Sequence, residues 1–531
     1  MKARVLLARY SIKGWAVALT LLCCLALCPW GAQAQSDTTL ETNPDSCTSI
    51  MVGRLASTDG SVMTAHTCDG GYRNWVNIVP SATYESGAMN KIYRGLMFNE
   101  SIDDPTGITE VGEVPQASET YAFVNTAYPA MNEHQLGIGE TTIGGRREMR
   151  SELGFLQIEE LERLALERTT TARDAIKLIG ELVKEYGYKD SGECLTFIDP
   201  KEVWHFEIMG PSKGKLGGVW AAVRIPDDHV GVSANIPRIA ELDLDNPDYF
   251  MASENVHSLA EELGFWDPDN GETFKFWKAY SGRTPFSIRE WWVLSHMAPS
   301  LNLSIDADEL PFSVKPDKKV SVRDVMAMYR ECYAGSEYDT VKNLRGDNGR
   351  LSQMINPWMP RGMSQLLNQL KPDSVSSKRF IAINGCAYYT VIQARDWLPD
   401  PIGGITWLGF DNPAHGPHIP VFSGVTELPD DFDIGNQKRF RTDSAAWAVR
   451  RASRLAQQQW GRNAKAIDDI IQKFEDQAFD ELPAVEKAAL ELMKDDPEKA
   501  KQFLTTYTNN FCRTVIDGYW KLGDELWKVN R

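Results

Sequence analysis

The sequence has no C-x-x-C pair, no Cys/His cluster, no block of basic residues and no internal repeat, and only eight of its 531 residues are histidine. Each absence closes a class. Without ligands at metal-binding spacing no structural zinc site is expected. Lys plus Arg (56) is outnumbered by Asp plus Glu (73), giving a net charge of −17 with no basic patch, so nucleic acid is not an expected partner. Long apolar runs are missing too. The apolar stretch at residues 15–27 is shorter than the ~20 residues of a spanning helix, and no later segment reaches that length without charges. No integral membrane segment is expected after residue 34. What remains is globular composition, 43% hydrophobic and 24% charged, enough for a large core.

The N-terminus reads as an export signal. Lys2, Arg4, Arg9 and Lys13 lead into the apolar stretch, and Ala32-Gln33-Ala34 supplies a small-x-small cleavage pattern. A lipid anchor at Cys28 is the competing reading, disfavoured by the bulky Leu27 before it. Residues 1–34 are therefore expected to leave, with a secreted or periplasmic product. Residues 35–46 (QSDTTLETNPDS) are polar and aperiodic, a short lead or propeptide. Of nine cysteines, six remain after the signal: Cys47, Cys68, Cys194, Cys332, Cys386 and Cys512. One or two disulfides stay open in an oxidising compartment.

At residue 47 the pattern changes. CTSIMVGRLA (47–56) is rich in β-formers, Asp59-Gly60 is a turn signal, and SVMTAH (61–66) is strand-like again, so a β-hairpin is predicted. With Asp59-Gly60 as a two-residue loop, Thr58 pairs with Ser61, Cys47 faces about Tyr72, and Asp69 faces about Ile50. Cys47 and Asp69 then lie near one end of the hairpin. Helical periodicity marks residues 156–186, with a break and restart at 171–174. Strands are predicted at 194–199, 203–210, 219–225, 229–235, 379–397 and 404–410. From Asp443 the chain reads as helical almost to its end, with breaks near Leu482-Pro483 and Asp496-Pro497; residues 236–377 give no clear pattern.

A polar lead followed by a cysteine that opens a strand suggests an N-terminal nucleophile. Cutting the bond before Cys47 frees an α-amino group, with an ordinary pKa of ~7.7 to 8.0, that can serve as base for its own thiol. No distant histidine is needed, which suits a histidine-poor chain. The plain alternative is a small buried hydrophobe.

CTSIMVGRLASTDGSVMTAHTCD (47–69) resembles the start of the mature chain in the C69 dipeptidases, N-terminal-nucleophile hydrolases related to choloylglycine hydrolases. MNEHQLGIGETTIGGRRE (131–148), VSANIPRI (232–239), YSGRTPFSIREWW (280–292) and TVIQARDWLPDPIGGITWLGFDNP (390–413) agree, in the family's order. The resemblance implies an α+β fold, a four-layer αββα sandwich of two stacked antiparallel sheets over residues 47–440, with a C-terminal helical extension at 441–531. It implies Cys47 as nucleophile, Asp69 beside it and its amino group, Asn235 as an oxyanion donor and Asn132 as a second polar residue near the substrate. Turn chemistry is the alternative for either asparagine. Many relatives carry Arg three residues before the aspartate; this chain has His66, which makes its role at the substrate and the pH response open. Arg283 and Arg289 are both candidates for the family's later active-site arginine. Arg146 and Arg147 are candidates for binding a substrate carboxylate, or form a solvated basic turn.

Three signals are set aside. Gly137-Ile138-Gly139 lacks the spacing and Lys of a phosphate loop, His415 and His418 read as turn residues rather than metal ligands, and the tryptophans of the tail read as packing. The implied activity is hydrolysis of dipeptides or short peptides, without cofactor. An amidase of N-acyl amino acids or bile-salt-like conjugates is the second reading, and a secreted peptide-binding protein without catalysis the third. Oligomeric state is left open.

Overall fold

The computed structural model describes residues 47–530. The signal and the lead lie outside the described residues. The chain is mixed α/β, with several sheets and eleven α-helices among the described residues.

Two antiparallel sheets organise it. Strands β1 (Ser49–Val52), β2 (Val62–Asp69), β3 (Gly137–Thr142), β4 (Glu193–Ile198), β5 (Val203–Met209), β6 (Val219–Ile225), β7 (Val230–Ser233), β8 (Phe250–Ala252), β9 (Ser313–Val314), β10 (Cys386–Ala394), β11 (Ile405–Phe410) and β12 (Ile419–Phe422) divide between them. The seven-stranded sheet runs β9-β7-β1-β2-β10-β11-β12, and the five-stranded sheet β8-β6-β5-β4-β3. The sheets touch through polar as well as apolar side chains. Thr64 and Thr196 hydroxyls meet at 2.6 Å, and Ser49 Oγ donates to the Glu140 carbonyl at 3.1 Å. Gly139 permits this approach: a Cβ there would lie 2.7 Å from Thr196 Oγ1 and 3.0 Å from the Ala65 carbonyl.

Helices α1 (Ile158–Arg168) and α2 (Ala172–Tyr186) fit the expected break, with Thr171 capping the second by accepting from the Asp174 amide. Helix α2 packs on β4 and β5, while α3 (Ile288–Met297) and α4 (Val322–Tyr329) pack on the seven-stranded sheet. The C-terminal helices α5 (Ala445–Gln457), α6 (Trp460–Asp495) and α7 (Pro497–Val529) cover β11 and β12 and belong to the same compact unit as the sheets.

Three expectations need correction. The hairpin exists, but Thr48 faces Thr67 and Val52 faces Met63. Asp59-Gly60 is therefore not a two-residue loop. After β1 the chain turns away from β2 and bonds elsewhere: Gly53 donates to the His229 carbonyl, and Leu55 and Ala56 to that of Asp227. Carrying the observed register one residue further brings Cys47 opposite Cys68, next to Asp69. The expected break at Pro483 is absent. Pro forfeits one helical hydrogen bond and costs about 3 kcal/mol, but burial of Phe474, Ala478, Val485 and Ala489 on either side holds α6 together. The Asp496-Pro497 break is present, with Asp496 accepting from the Glu498 and Lys499 amides. Finally, residues 379–385 are irregular rather than strand, and β10 begins at Cys386.

Candidate functional site

Cys47 is 1% exposed at the head of β1. Burial pushes its thiol well above the usual range, and Glu140, Cys68 and Asp69 add to the rise; the Asp69 backbone N–H, donating toward the sulfur, acts the other way. In this state the thiol holds its proton. What fixes Cys47 is Arg289 on α3, whose Nη1 donates to the Cys47 carbonyl (2.6 Å) and Thr48 Oγ1 (3.0 Å) and whose Nη2 donates to the Ala234 carbonyl and Asn235 Oδ1 (2.9 Å each). Of the two candidate arginines, Arg289 is thus the one at Cys47. Its helix starts in a Ser287/Glu290 capping box, and Glu290 also accepts from the Ala234 amide. Helix start, strand end and Cys47 are thereby tied together.

Asp69, at the end of β2, is fully buried. Desolvation raises its carboxyl, and Arg379 draws it back down. Arg379 Nη2 donates to Oδ2 at 2.6 Å and Thr67 Oγ1 donates to the same oxygen at 3.2 Å, while Oδ1 has no hydrogen-bond partner among the described residues. An acceptor of this kind beside Cys47 is suited to an ammonium group. Arg379 escaped the sequence reading, which placed it in a buried strand.

Asn235, two residues after β7, lies in the left-handed region, φ 65°, which Asn tolerates better than most residues. Its Nδ2 donates to the Thr142 carbonyl at 2.7 Å, and its second amide proton has no partner among the described residues. Asn132 is different. Its Nδ2 gives both protons to the carbonyls of Leu166 and Thr169 at the end of α1, and its Oδ1 accepts from the His134 and Leu136 amides. That is complete turn chemistry, with no side-chain donor left over.

His66 faces the edge strand β3. Its Nδ1 lies 2.7 Å from the Glu140 carbonyl, fitting an N–H donor, and its Nε2 lies 3.4 Å from the Tyr388 hydroxyl between the rings of Tyr128 and Tyr388. Burial pushes it down to about 4, so it is neutral near pH 7 and does not replace the charge of an arginine. Arg146 Nε and Nη2 donate to the carbonyls of Ala279 and Lys278, which pins a loop; Arg147 is exposed. Arg283 is half-buried with its guanidinium over Gly144, where an added Cβ would lie 2.9 Å from Nη2.

A further residue enters that was quoted within a motif but not singled out. Glu140 in β3 is fully buried; its carboxylate, the Cys47 sulfur and a His66 nitrogen all lie within 4.8 Å of one another. Thiol, imidazole and carboxylate are also a zinc-type donor set. Desolvation first, and Asp190 after it, raise Glu140 to about 7, opposed by hydrogen bonds from Glu193, Cys47 and Thr142. Glu193, directly across from Thr142 on β4, is itself raised by burial and by Glu140. Only the pairing of β3 with β4 and the stacking of the sheets bring these acids to Cys47, so no local signal marks them.

The other sets are structural. Cys194, His205 and Glu207 meet on β4 and β5, but the shortest sulfur contact (3.5 Å) and the carboxylate contact (2.9 Å) both use His205 Nε2, so no relay runs through the ring. His418 Nδ1 bonds Glu475 Oε1 and His415 Nδ1 bonds Ser453 Oγ, both at 2.8 Å, tying the C-terminal helices to the turn before β12. All six described cysteines are free thiols. No described helix is long and apolar enough to cross a membrane.

The family model for peptidase family C69 matches residues 46–473. A probable dipeptidase of Latilactobacillus sakei is 24% identical over 462 residues, which cover 83% of this chain and 87% of that protein. A probable dipeptidase of Salmonella dublin is 26% identical over 441 residues, 77% and 90% of the two chains. Dipeptidase A of Lactobacillus helveticus is 24% identical over 450 residues, 82% and 85%. With the family model spanning most of its length, the chain belongs to peptidase family C69.

Proposed function

We propose that the protein is an exported cysteine dipeptidase that works as an N-terminal-nucleophile hydrolase once the bond before Cys47 is cut. The single observation that carries this reading is the neighbourhood of Cys47. A buried thiol stands beside a carboxylate with one unpartnered oxygen, held by an arginine through the carbonyl that follows the thiol. Two facing antiparallel sheets with helices packed on them fit the αββα layering of such hydrolases, and the names of the relatives support dipeptides as substrates.

In this reading the freed α-amino group of Cys47, oriented by Asp69 Oδ1, takes the thiol proton as the sulfur attacks the scissile carbonyl carbon. Electrons move onto the carbonyl oxygen, which receives the unused amide proton of Asn235 as a hydrogen bond. Collapse expels the leaving amine, protonated by the α-ammonium, and leaves a thioester. Water, deprotonated by the same amine, then releases the acid.

The test is N-terminal sequencing of the active secreted protein together with Cys47→Ala. The expected active chain begins at Cys47, and the variant is inert and folded. Full turnover in a protein that still begins at Gln35, or in Cys47→Ala, would refute the mechanism.

A further inference from the structure

Glu140 is a buried acid within 4.8 Å of the Cys47 sulfur, and the mechanism above gives it no task. Among the described residues no arginine or lysine forms an ion pair with it: Oε1 accepts from Thr142 Oγ1 at 3.2 Å, and the other groups that hydrogen-bond its carboxyl, Cys47 and Glu193, bring no positive charge. The imidazole beside it, His66, is neutral near pH 7 and gives its Nδ1 hydrogen to a backbone carbonyl. The neighbouring cations are committed, Arg379 to Asp69 and Arg289 to four acceptors around Cys47 and Asn235. A carboxylate without a cation in a dry interior is costly unless a ligand supplies the charge.

Peptide geometry says which ligand group can reach it. A sulfur poised for attack sits ~3 to 3.5 Å from the scissile carbonyl carbon. The amino nitrogen of the residue being cut is about 2.5 Å from that carbon, fixed by two bonds and one angle. An ammonium–carboxylate contact adds about 2.7 to 2.9 Å. A carboxylate oxygen within 4.8 Å of Cys47 Sγ is therefore within reach of that amine. An N-acyl group would instead put a neutral amide and its bulk against a buried acid.

We propose that Glu140, backed by Glu193, receives the free α-ammonium of the substrate and so confines hydrolysis to peptides cleaved immediately after their N-terminal residue. The inference rests on the dipeptidase reading and names the device behind its selectivity. Glu193 sets the pair's charge: with one proton between the two acids the site carries a single negative charge, matching one ammonium. Asp69 serves the enzyme's own amine, so the two ammonium groups are sorted to different carboxylates.

The decisive experiment compares kcat/KM for a dipeptide and for its N-acetylated form in the mature enzyme and in Glu140→Gln. Glu140→Gln should lose tenfold to a hundredfold on the free dipeptide, chiefly in KM, while the acetylated peptide is cleaved no more slowly than before, so that the preference collapses. An equal fall on both substrates would overturn the proposal, since Glu140 would then serve the thiol or the Cys47 amine; an unchanged preference would overturn it too. If the unmodified enzyme cleaved only the acetylated form, the dipeptidase reading itself would fall, a result visible before any variant is made. A second measurement needs no variant. Free amino acids should protect Cys47 of the mature enzyme from alkylation and their N-acetyl forms should not; equal protection by both would count against Glu140.

Discussion

Arg289 donates to four acceptors, and no shorter or rounder cation can do the same. Lysine presents a point charge on a flexible stem, whereas the guanidinium spans the Cys47 and Ala234 carbonyls and the Thr48 and Asn235 side-chain oxygens with one rigid plane. Arg289→Lys is therefore expected to lower kcat by roughly tenfold to a hundredfold, the equivalent of a lost buried hydrogen bond to a charged group at about 1.5 to 3 kcal/mol. Steady-state kinetics beside a melting curve check this; a loss of activity that only follows a loss of folded protein would contradict it. Asp69→Asn should act later in the sequence of events. It keeps the shape, gives up the charge facing the new N-terminus, and leaves Arg379 buried without its counter-ion, so hydrolysis should fall more than tenfold even in chains whose N-terminus is already Cys47. How legible these residues were follows from distance along the chain. Cys47 and Asp69 could be paired from a local hairpin, even with its register misplaced, because both lie at the same end of the two strands. Arg379 reaches Asp69 across 310 positions, from a segment with strand-like composition, and its irregular path is set by tertiary contacts. Glu140 stood in plain view in GIGETTIGG, but its meaning depends on which sheet its strand faces.

At the level of elements, the C-terminal helices are fastened by buried ion pairs. Asp411, at the end of β11, is gripped by Arg450 and Arg454 of α5, and Glu475 of α6 by His418 and Arg330. Burial alone would raise both acids, yet Arg454 and Arg450 bring Asp411 down to about 2, and His418 and Arg330 bring Glu475 to about 2. Both values lie below the ordinary 3.8 and 4.5. The stability these acids provide is therefore complete above those ordinary values and is lost as pH falls toward about 2, on the order of 2 kcal/mol for each. Melting temperature measured across that interval should drop steeply in the natural chain and more gently in Asp411→Asn, which starts about 3 kcal/mol lower because two arginines are left facing a neutral group. The helices were readable from periodicity, but the continuity through Pro483 was not: propensity sees the missing N–H and cannot see the packing on either side of it.

For the molecule as a whole, the extension that composition sets apart at residue 441 is part of one cooperative body. Trp407 of β11 stacks on Phe479 of α6 with ring centres 4.6 Å apart, and Thr508 of α7 donates to the Pro420 carbonyl in β12. A chain ending at residue 441 would expose the outer face of β11 and β12 to water, including Trp407 and Phe422, which are fully buried here against Phe479 and Tyr507. It should aggregate on expression instead of giving a smaller active enzyme, and the full chain should melt in a single transition. Soluble yield and calorimetry decide this; a soluble, active 47–441 fragment would show that the helices are an accessory.

Arg289 grips Cys47 by its carbonyl, and β1 continues that hold through Thr48 and Ser49, so every described constraint on the nucleophile comes from the chain that follows it. In the proposed maturation, the cut then works as the release of a safety catch on a mechanism already assembled: it adds one titratable amine without asking any strand to move. Timing of activity is thereby separated from timing of folding, and the cell can complete the costly step of building the body while the enzyme is still silent.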